Sequence, residues 1–129
     1  MRFTHIAQSS PTGCGAACLA MIASRTLDEA ASALFGEAKP QDQRTQWSHM
    51  RRGLEKLGIE CRGRPKRVSS WDSIEGVALV AVSRVGENWH WVLFDAFDGL
   101  IYDPMKSSPT PQNRSRRKLV SFLSLRIAR

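Results

Sequence analysis

The 129-residue chain is poor in cysteine, in acidic residues and in long apolar runs. Its three cysteines cannot all pair with one another, which argues against a disulfide scaffold and for a reducing compartment. The longest apolar run, residues 77–82, is far shorter than the ~20 residues of a membrane-spanning helix. Residues 1–5 lack the apolar stretch of a secretory signal. We therefore predict a cytoplasmic protein of one domain, residues 1–129, with no membrane association; export would require a specialised secretion system.

The shortage of acidic residues leaves a strongly positive chain. Twelve Asp and Glu face nineteen Lys and Arg, a formal charge of +7, and the cations concentrate in residues 51–52, 62–67 and 114–118. Such a charge favours acidic partners and speeds encounter with them, although a solvated surface explains it as well. No nucleic-acid-binding motif accompanies the charge, so nucleic acid is the less favoured partner. We predict a protein or peptide substrate, acidic if the charge selects it.

The first half of the chain has the patterns of helices. Residues 16–23 are rich in helix formers and follow a turn-forming segment. Thr26 and Glu29 have the spacing of a capping box, which predicts a second helix that Gly36 ends. Apolar residues at positions 47, 50, 54 and 57 predict a third helix, ended by Gly58.

The second half has the patterns of strands. Residues 59–64 predict a short strand that stops before Pro65, and the apolar run 77–82 predicts a strand covered on both faces. After a predicted turn at residues 86–88, two strands, 89–95 and 100–103, form a hairpin around an Asp-Gly dipeptide. Residues 119–127 predict a last strand. Helices followed by an antiparallel sheet predict an α+β fold.

A cysteine between two glycines stands at the predicted start of the first helix. Free backbone N–H groups and the helix dipole there favour a negative charge on Cys14, and Gly13 and Gly15 leave room for a substrate backbone. Cys14 is therefore a candidate nucleophile, although a structural role explains it equally well. Cys18, one turn further along, is interpreted as a packing residue. The spacing of these two cysteines is not that of a zinc knuckle, so we predict no metal and no cofactor.

A thiolate nucleophile needs a base within hydrogen-bond reach and a third group that orients this base. Of the three histidines, His5 lies near the start of the chain, and His49 falls in the third helix and is expected to face solvent. His90 lies in the first strand of the predicted hairpin, and the second strand ends at Asp103. Asp103 is thus placed to accept a hydrogen bond from the His90 ring and to fix its tautomer. A pair that only joins the two strands is the alternative.

Gln8 precedes Cys14 by six residues, where a side-chain amide can help bind an oxyanion. The sequence resembles the C39 peptidases in Gln8, in residues 13–22 around Cys14, in His90-Trp91-Val92 and in Tyr102-Asp103-Pro104. The resemblance implies a bacterial cysteine peptidase with a papain-like fold, in which N-terminal helices pack on a C-terminal antiparallel sheet. It also implies roles: Cys14 attacks, His90 is the general base, Asp103 orients it and Gln8 supplies the oxyanion hole.

The best-known C39 peptidases are the leader-cleaving domains of bacteriocin exporters, whereas this chain resembles a free-standing member. Two other functions use the same sequence features. A glutamine deamidase or transglutaminase would direct the same residues at a side-chain amide, and a catalytically silent module would use the basic segments for binding. The basic cluster Arg114, Arg116, Arg117 and Lys118 is expected to serve binding, away from the active site.

Overall fold

A computed structural model of the chain describes residues 3–8, 13–36, 46–83 and 89–127. Within these residues, three helices come first: α1, Cys14–Ala23; α2, Leu27–Phe35; and α3, Trp47–Lys56. Six strands follow: β1, Cys61–Arg67; β2, Val77–Ser83; β3, Trp89–Asp95; β4, Leu100–Tyr102; β5, Thr110–Pro111; and β6, Leu119–Leu125. The predicted α+β architecture is confirmed.

The strands form one antiparallel sheet in the order β1-β6-β2-β3-β4-β5. The apolar strand β2 lies inside it and pairs with both β3 and β6. Leu79 and Ala81 join the core beneath the helices, whereas Val80 and Val82 join a second apolar cluster on the opposite face. Residues 77–82 therefore have no polar alternation, because both faces of this strand are covered.

Helix α1 is apolar on nearly all sides because it is surrounded by protein. It packs against β3, α2 and α3, and eight of its residues are buried. A helix without a polar face can be stable only in such a position. This packing fixes where the first residue of α1, Cys14, meets the sheet.

The second helix begins with the predicted capping box. The Thr26 hydroxyl accepts a hydrogen bond from the Glu29 N–H (3.1 Å), and the Glu29 carboxylate accepts one from the Thr26 N–H (3.2 Å). Gly36 follows the last turn with φ +67°, a conformation that glycine adopts without strain. The prediction of both ends of α2 is confirmed.

Several predicted strand boundaries need correction. The first strand begins at Cys61 and not at residue 59, and the last strand ends at Leu125 and not at residue 127. The first strand does not stop before Pro65 but continues to Arg67. Because β1 is an edge strand with an irregular register between Arg62 and Lys66, a residue without an N–H is tolerated there. The hairpin strand β4 ends at Tyr102, so Asp103 lies just beyond the ladder.

Strand β5 was not predicted, because two residues carry no periodic pattern. The predicted turn at residues 86–88 lies outside the described residues. Among the helices of the described ranges, none has the length and hydropathy needed to cross a membrane.

Replacing the capping residue of α2 tests how much the capping box contributes to the stability of the fold. Thr26→Ala removes one hydrogen bond of the capping box and should lower the free energy of unfolding by about 1 kcal/mol. Urea denaturation followed by circular dichroism measures this change. Ser32→Ala, an exposed position in the same helix, is the control and should change stability by less than ~0.5 kcal/mol. Equal effects of the two substitutions would contradict a role for the capping box.

Candidate active site

The site lies where β3 extends past its shorter neighbour. Strand β4 pairs only with residues 93–95 of β3, so the beginning of β3, at His90 and Trp91, projects beyond it. Cys14 approaches this projecting part from the helical side, because α1 packs on β3. Asp103, which directly follows β4, approaches it along the sheet. Three chain segments therefore meet at one point.

Cys14 is the first residue of α1 and is 8% exposed. Burial raises the pKa of its thiol, but hydrogen bonds from the His90 side chain and from the Trp91 and Gly15 backbone outweigh burial. The net pKa lies below the ordinary value for cysteine. The unpaired N–H groups of the first helical turn add to this stabilisation of negative charge. The thiol is therefore disposed to ionise.

His90 is fully buried and joins the thiol to a carboxylate. Its Nε2 lies 2.6 Å from Oδ1 of Asp103. Nδ1 makes no hydrogen bond of standard geometry to the described residues, so it is the nitrogen left to meet the Cys14 thiol. Burial lowers the pKa of His90, but the hydrogen bonds with Asp103 and Cys14 outweigh burial and raise it above the ordinary value for histidine. A low thiol pKa and a high imidazole pKa together favour a thiolate–imidazolium pair.

Asp103 is 2% exposed, yet it remains ionised. Burial raises its pKa, but hydrogen bonds from His90 and from the Met105 N–H (2.9 Å), and the charges of His90 and Arg117, hold it at about 2. An ionised carboxylate can only accept, so His90 Nε2 must carry a proton that it donates. The tautomer that leaves Nδ1 free for the thiol is thereby fixed.

One contact contradicts the sequence interpretation. The basic cluster at residues 114–118 was expected to lie away from the active site, but Arg117 contacts Asp103. Its Nε donates to Asp103 Oδ2 at 3.1 Å, and Nη2 lies 3.0 Å from the same oxygen. The structure supplies the reason for this contact: a buried carboxylate needs charged or N–H partners to stay ionised. The sequence alone does not show which of the nineteen Lys and Arg residues supplies this charge.

Gln8 is held close to these residues by the N-terminal segment. The Gln8 N–H donates to the carbonyl of Pro104, the residue after Asp103, at 2.8 Å. His5 donates from Nε2 to the Lys106 carbonyl (2.6 Å), so it is anchored although it lies near the start of the chain. Residues 3–8 therefore lie along the segment that carries Asp103. The oxyanion role of the Gln8 side chain stays a prediction.

The other two cysteines differ from Cys14 in the direction of their pKa shifts. Burial raises the pKa of Cys18 well above its usual range, and the negative charges of Cys14 and Asp103 raise it further. Burial also raises the pKa of Cys61, which is half-buried on β1. Arg51 lowers the pKa of Cys61 but does not outweigh burial, so only Cys14 among the three has neighbours whose stabilisation of the thiolate exceeds the effect of burial.

This contrast predicts the order of alkylation. At mildly acidic pH, iodoacetamide should modify Cys14 before Cys18 or Cys61, because only the thiolate reacts at a useful rate. Peptide mapping by mass spectrometry of the folded protein measures the three rates, and Cys14→Ser shows the background. Cys61 is more exposed than Cys14, so faster labelling of Cys61 would mean that exposure, and not ionisation, controls reactivity.

Comparisons with known proteins can be set beside this geometry. A search of curated protein sequences finds no match. Residues 2–115 match the Peptidase C39 family, a range that includes Gln8, Cys14, His90 and Asp103 but ends before Arg117. The match covers most of the chain, and the papain-like arrangement of helices packed on an antiparallel sheet agrees with it. The chain belongs to the Peptidase C39 family of cysteine peptidases.

Proposed function

We propose that this protein hydrolyses a peptide bond with Cys14 as nucleophile, His90 as general base and acid, Asp103 as the group that orients His90, and Gln8 as part of the oxyanion hole. The observation that carries the proposal is the continuous connection from the Cys14 thiol through His90 to a buried, ionised Asp103. Membership of a peptidase family implies protein or peptide substrates.

In the first half of the reaction, the Cys14 thiolate attacks the carbonyl carbon of the scissile bond. The negative charge moves to the carbonyl oxygen, where the Cys14 N–H and the Gln8 side-chain amide donate hydrogen bonds. The Cys14 N–H is available because the first residues of a helix have no intrahelical acceptor. Imidazolium His90 then gives its Nδ1 proton to the departing amine, the C–N bond breaks and a thioester remains.

In the second half, neutral His90 takes a proton from water at Nδ1, and the hydroxide attacks the thioester. The C–S bond breaks, the acid product leaves, and the thiolate–imidazolium pair is restored. Asp103 stays ionised throughout and keeps the Nε2 proton in place. Because the positive charge forms on a buried ring, the adjacent carboxylate stabilises it in both halves of the cycle.

Mass spectrometry of substrate peptides tests the reaction type. The wild type should split a susceptible peptide into two fragments, whereas Cys14→Ser should leave it intact. Asp103→Asn should retain the fold and lose up to ~10⁴-fold in kcat, since an amide favours the wrong His90 tautomer; this is the effect known for the equivalent change in serine proteases. Thermal unfolding of each variant separates loss of chemistry from loss of fold.

The same experiment identifies the two alternatives. A mass increase of about one dalton in an intact peptide would show hydrolysis of a side-chain amide. No reaction, together with a Cys14 thiol that titrates near the free value of about 8.5, would show a binding module. Either result overturns the peptidase assignment.

We further propose that the part of the substrate that binds next to Asp103 and β5 carries acidic residues. A cleft of about 400 Å³ next to Asp103 is lined by several cationic side chains, among them Lys106 and Arg114. Both are exposed and can meet carboxylates of a bound peptide. Their charge adds to the positive field of the whole chain, which increases the encounter rate with such a peptide.

Replacing Lys106 and Arg114 together by Gln should raise KM for an acidic peptide, with a weaker dependence on salt, and leave kcat on a small neutral peptide unchanged. The control is Arg62→Gln/Arg64→Gln, which removes two exposed charges on β1, at the opposite edge of the sheet. Equal changes of KM in both variants would show that only net charge matters. A fall in kcat on the neutral peptide would contradict the separation of binding from chemistry.

A further inference from the structure

The guanidinium of Arg117 occupies one side of the Asp103 carboxylate. Oδ1 of Asp103 accepts hydrogen bonds from His90 Nε2 and from the Met105 N–H, whereas Oδ2 accepts from Arg117 Nε. Arg117 is 22% exposed, so this ion pair is mostly removed from water. With both oxygens bound, the carboxylate cannot rotate about its Cβ–Cγ bond without losing charged hydrogen bonds.

The backbone around Arg117 is anchored on both sides. The Arg117 N–H donates to the Ser115 hydroxyl at 3.2 Å, and the carbonyl of Lys118 accepts from the Ser83 N–H at 2.8 Å. Before this point, the Gln112 N–H donates to the Gly99 carbonyl at 2.9 Å. The backbone on both sides of Arg117 is therefore held by hydrogen bonds, which fixes where its guanidinium meets Asp103. This arrangement is expected of a residue that positions a catalytic group and not of a mobile surface arginine.

We propose that Arg117 is a positioning residue: by holding Oδ2 of Asp103, it fixes the carboxylate plane that orients His90 toward Cys14. The inference rests on the proposed function of these three residues and extends it to a residue beyond the segment that matches the peptidase family. Arg117 does not touch the reacting atoms; it acts through Asp103 alone. Its loss should reduce catalysis by disordering a group two contacts away from the sulfur.

The charge of Arg117 has a separate consequence for titration. Removing a cation next to Asp103 leaves the negative charge of the carboxylate less compensated. Formation of the Cys14 thiolate then becomes harder and loss of the His90 proton becomes harder too. Both limbs of the pH profile of kcat/KM should therefore move to higher pH. Replacing a residue that only supports the fold would lower activity without shifting the pH profile of kcat/KM.

The test compares Arg117→Gln with Arg116→Gln, which removes the same charge from a neighbouring exposed side chain in the same cleft. On a small neutral peptide, Arg117→Gln should lower kcat/KM roughly tenfold to a hundredfold and shift both limbs upward. Arg117→Lys should recover part of the loss, since it restores the charge but not the planar fork. Equal effects of the two Gln variants would overturn the proposal.

A double-mutant cycle with Asp103→Asn gives the decisive result. If Arg117 acts through Asp103, adding Arg117→Gln to Asp103→Asn should cause little further loss of kcat/KM. Adding Arg116→Gln should show no such coupling to Asp103. Multiplicative losses for Arg117 and Asp103 would contradict the proposal. If Arg117→Gln does not fold, the same cycle is measured with Arg117→Lys.

The pH dependence of Cys14 alkylation keeps this inference separate from the proposed function, because it needs no substrate. Arg117→Gln should raise the apparent pKa of Cys14, and this rise should be lost in the Asp103→Asn background. A wild type that cleaves no peptide but shows this coupling would refute the peptidase assignment and retain the role of Arg117. A wild type that cleaves peptide but lacks this coupling would support the peptidase assignment and refute the role of Arg117.

Discussion

A buried carboxylate is the constraint on which the rest of this structure depends. Asp103 is almost completely removed from water, and an ionised carboxylate in that position is stable only with charged or N–H partners. Within the described part of the chain, the partners are the His90 ring, the Met105 N–H and the Arg117 guanidinium. These partners determine the protonation of His90, and His90 in turn lowers the pKa of Cys14. Breaking such a buried pair by removing one partner is far more damaging than losing a surface ion pair.

The unequal lengths of two neighbouring strands create the space for this arrangement. Because β4 stops at Tyr102, the beginning of β3 is left for Cys14 from α1 and for Asp103 from the chain after β4. The thiol thus reaches the sheet where His90 is buried and pairs with Val82 of β2 on one side, while β4 does not extend to it on the other side. A longer β4 would place a strand where Asp103 now lies beside His90.

The three cysteines show how the same chemical group acquires different properties. Burial alone raises the pKa of a thiol, as it does for Cys18 and Cys61. Cys14 is also buried, but its hydrogen bonds with His90 and backbone N–H groups reverse the direction. Position within one helix decides the difference: Cys14 is at the N-terminus, whereas Cys18, one turn later, is fully buried in the apolar core.

Interactions between residues close in the chain could be predicted from the sequence. The capping box at Thr26, the apolar strand β2 and the glycine-flanked Cys14 at a helix start all depend on neighbours within a few positions. The prediction of the hairpin also brought Asp103 near His90, since a tight turn fixes which residues face each other. The position of Cys14 beside His90 required more, namely the resemblance to a known family.

Tertiary structure alone decided the contacts that join distant or irregular segments. The approach of Arg117 to Asp103 depends on the path through β5, a two-residue strand with no periodic pattern. The continuation of β1 through Pro65 depends on its place at the edge of the sheet. The direction of the Cys14 pKa shift depends on the balance between burial and its hydrogen bonds, of which those from His90 and Trp91 come from the distant strand β3. Local sequence determines what each segment can form; burial and long-range charge are set only when the segments pack together.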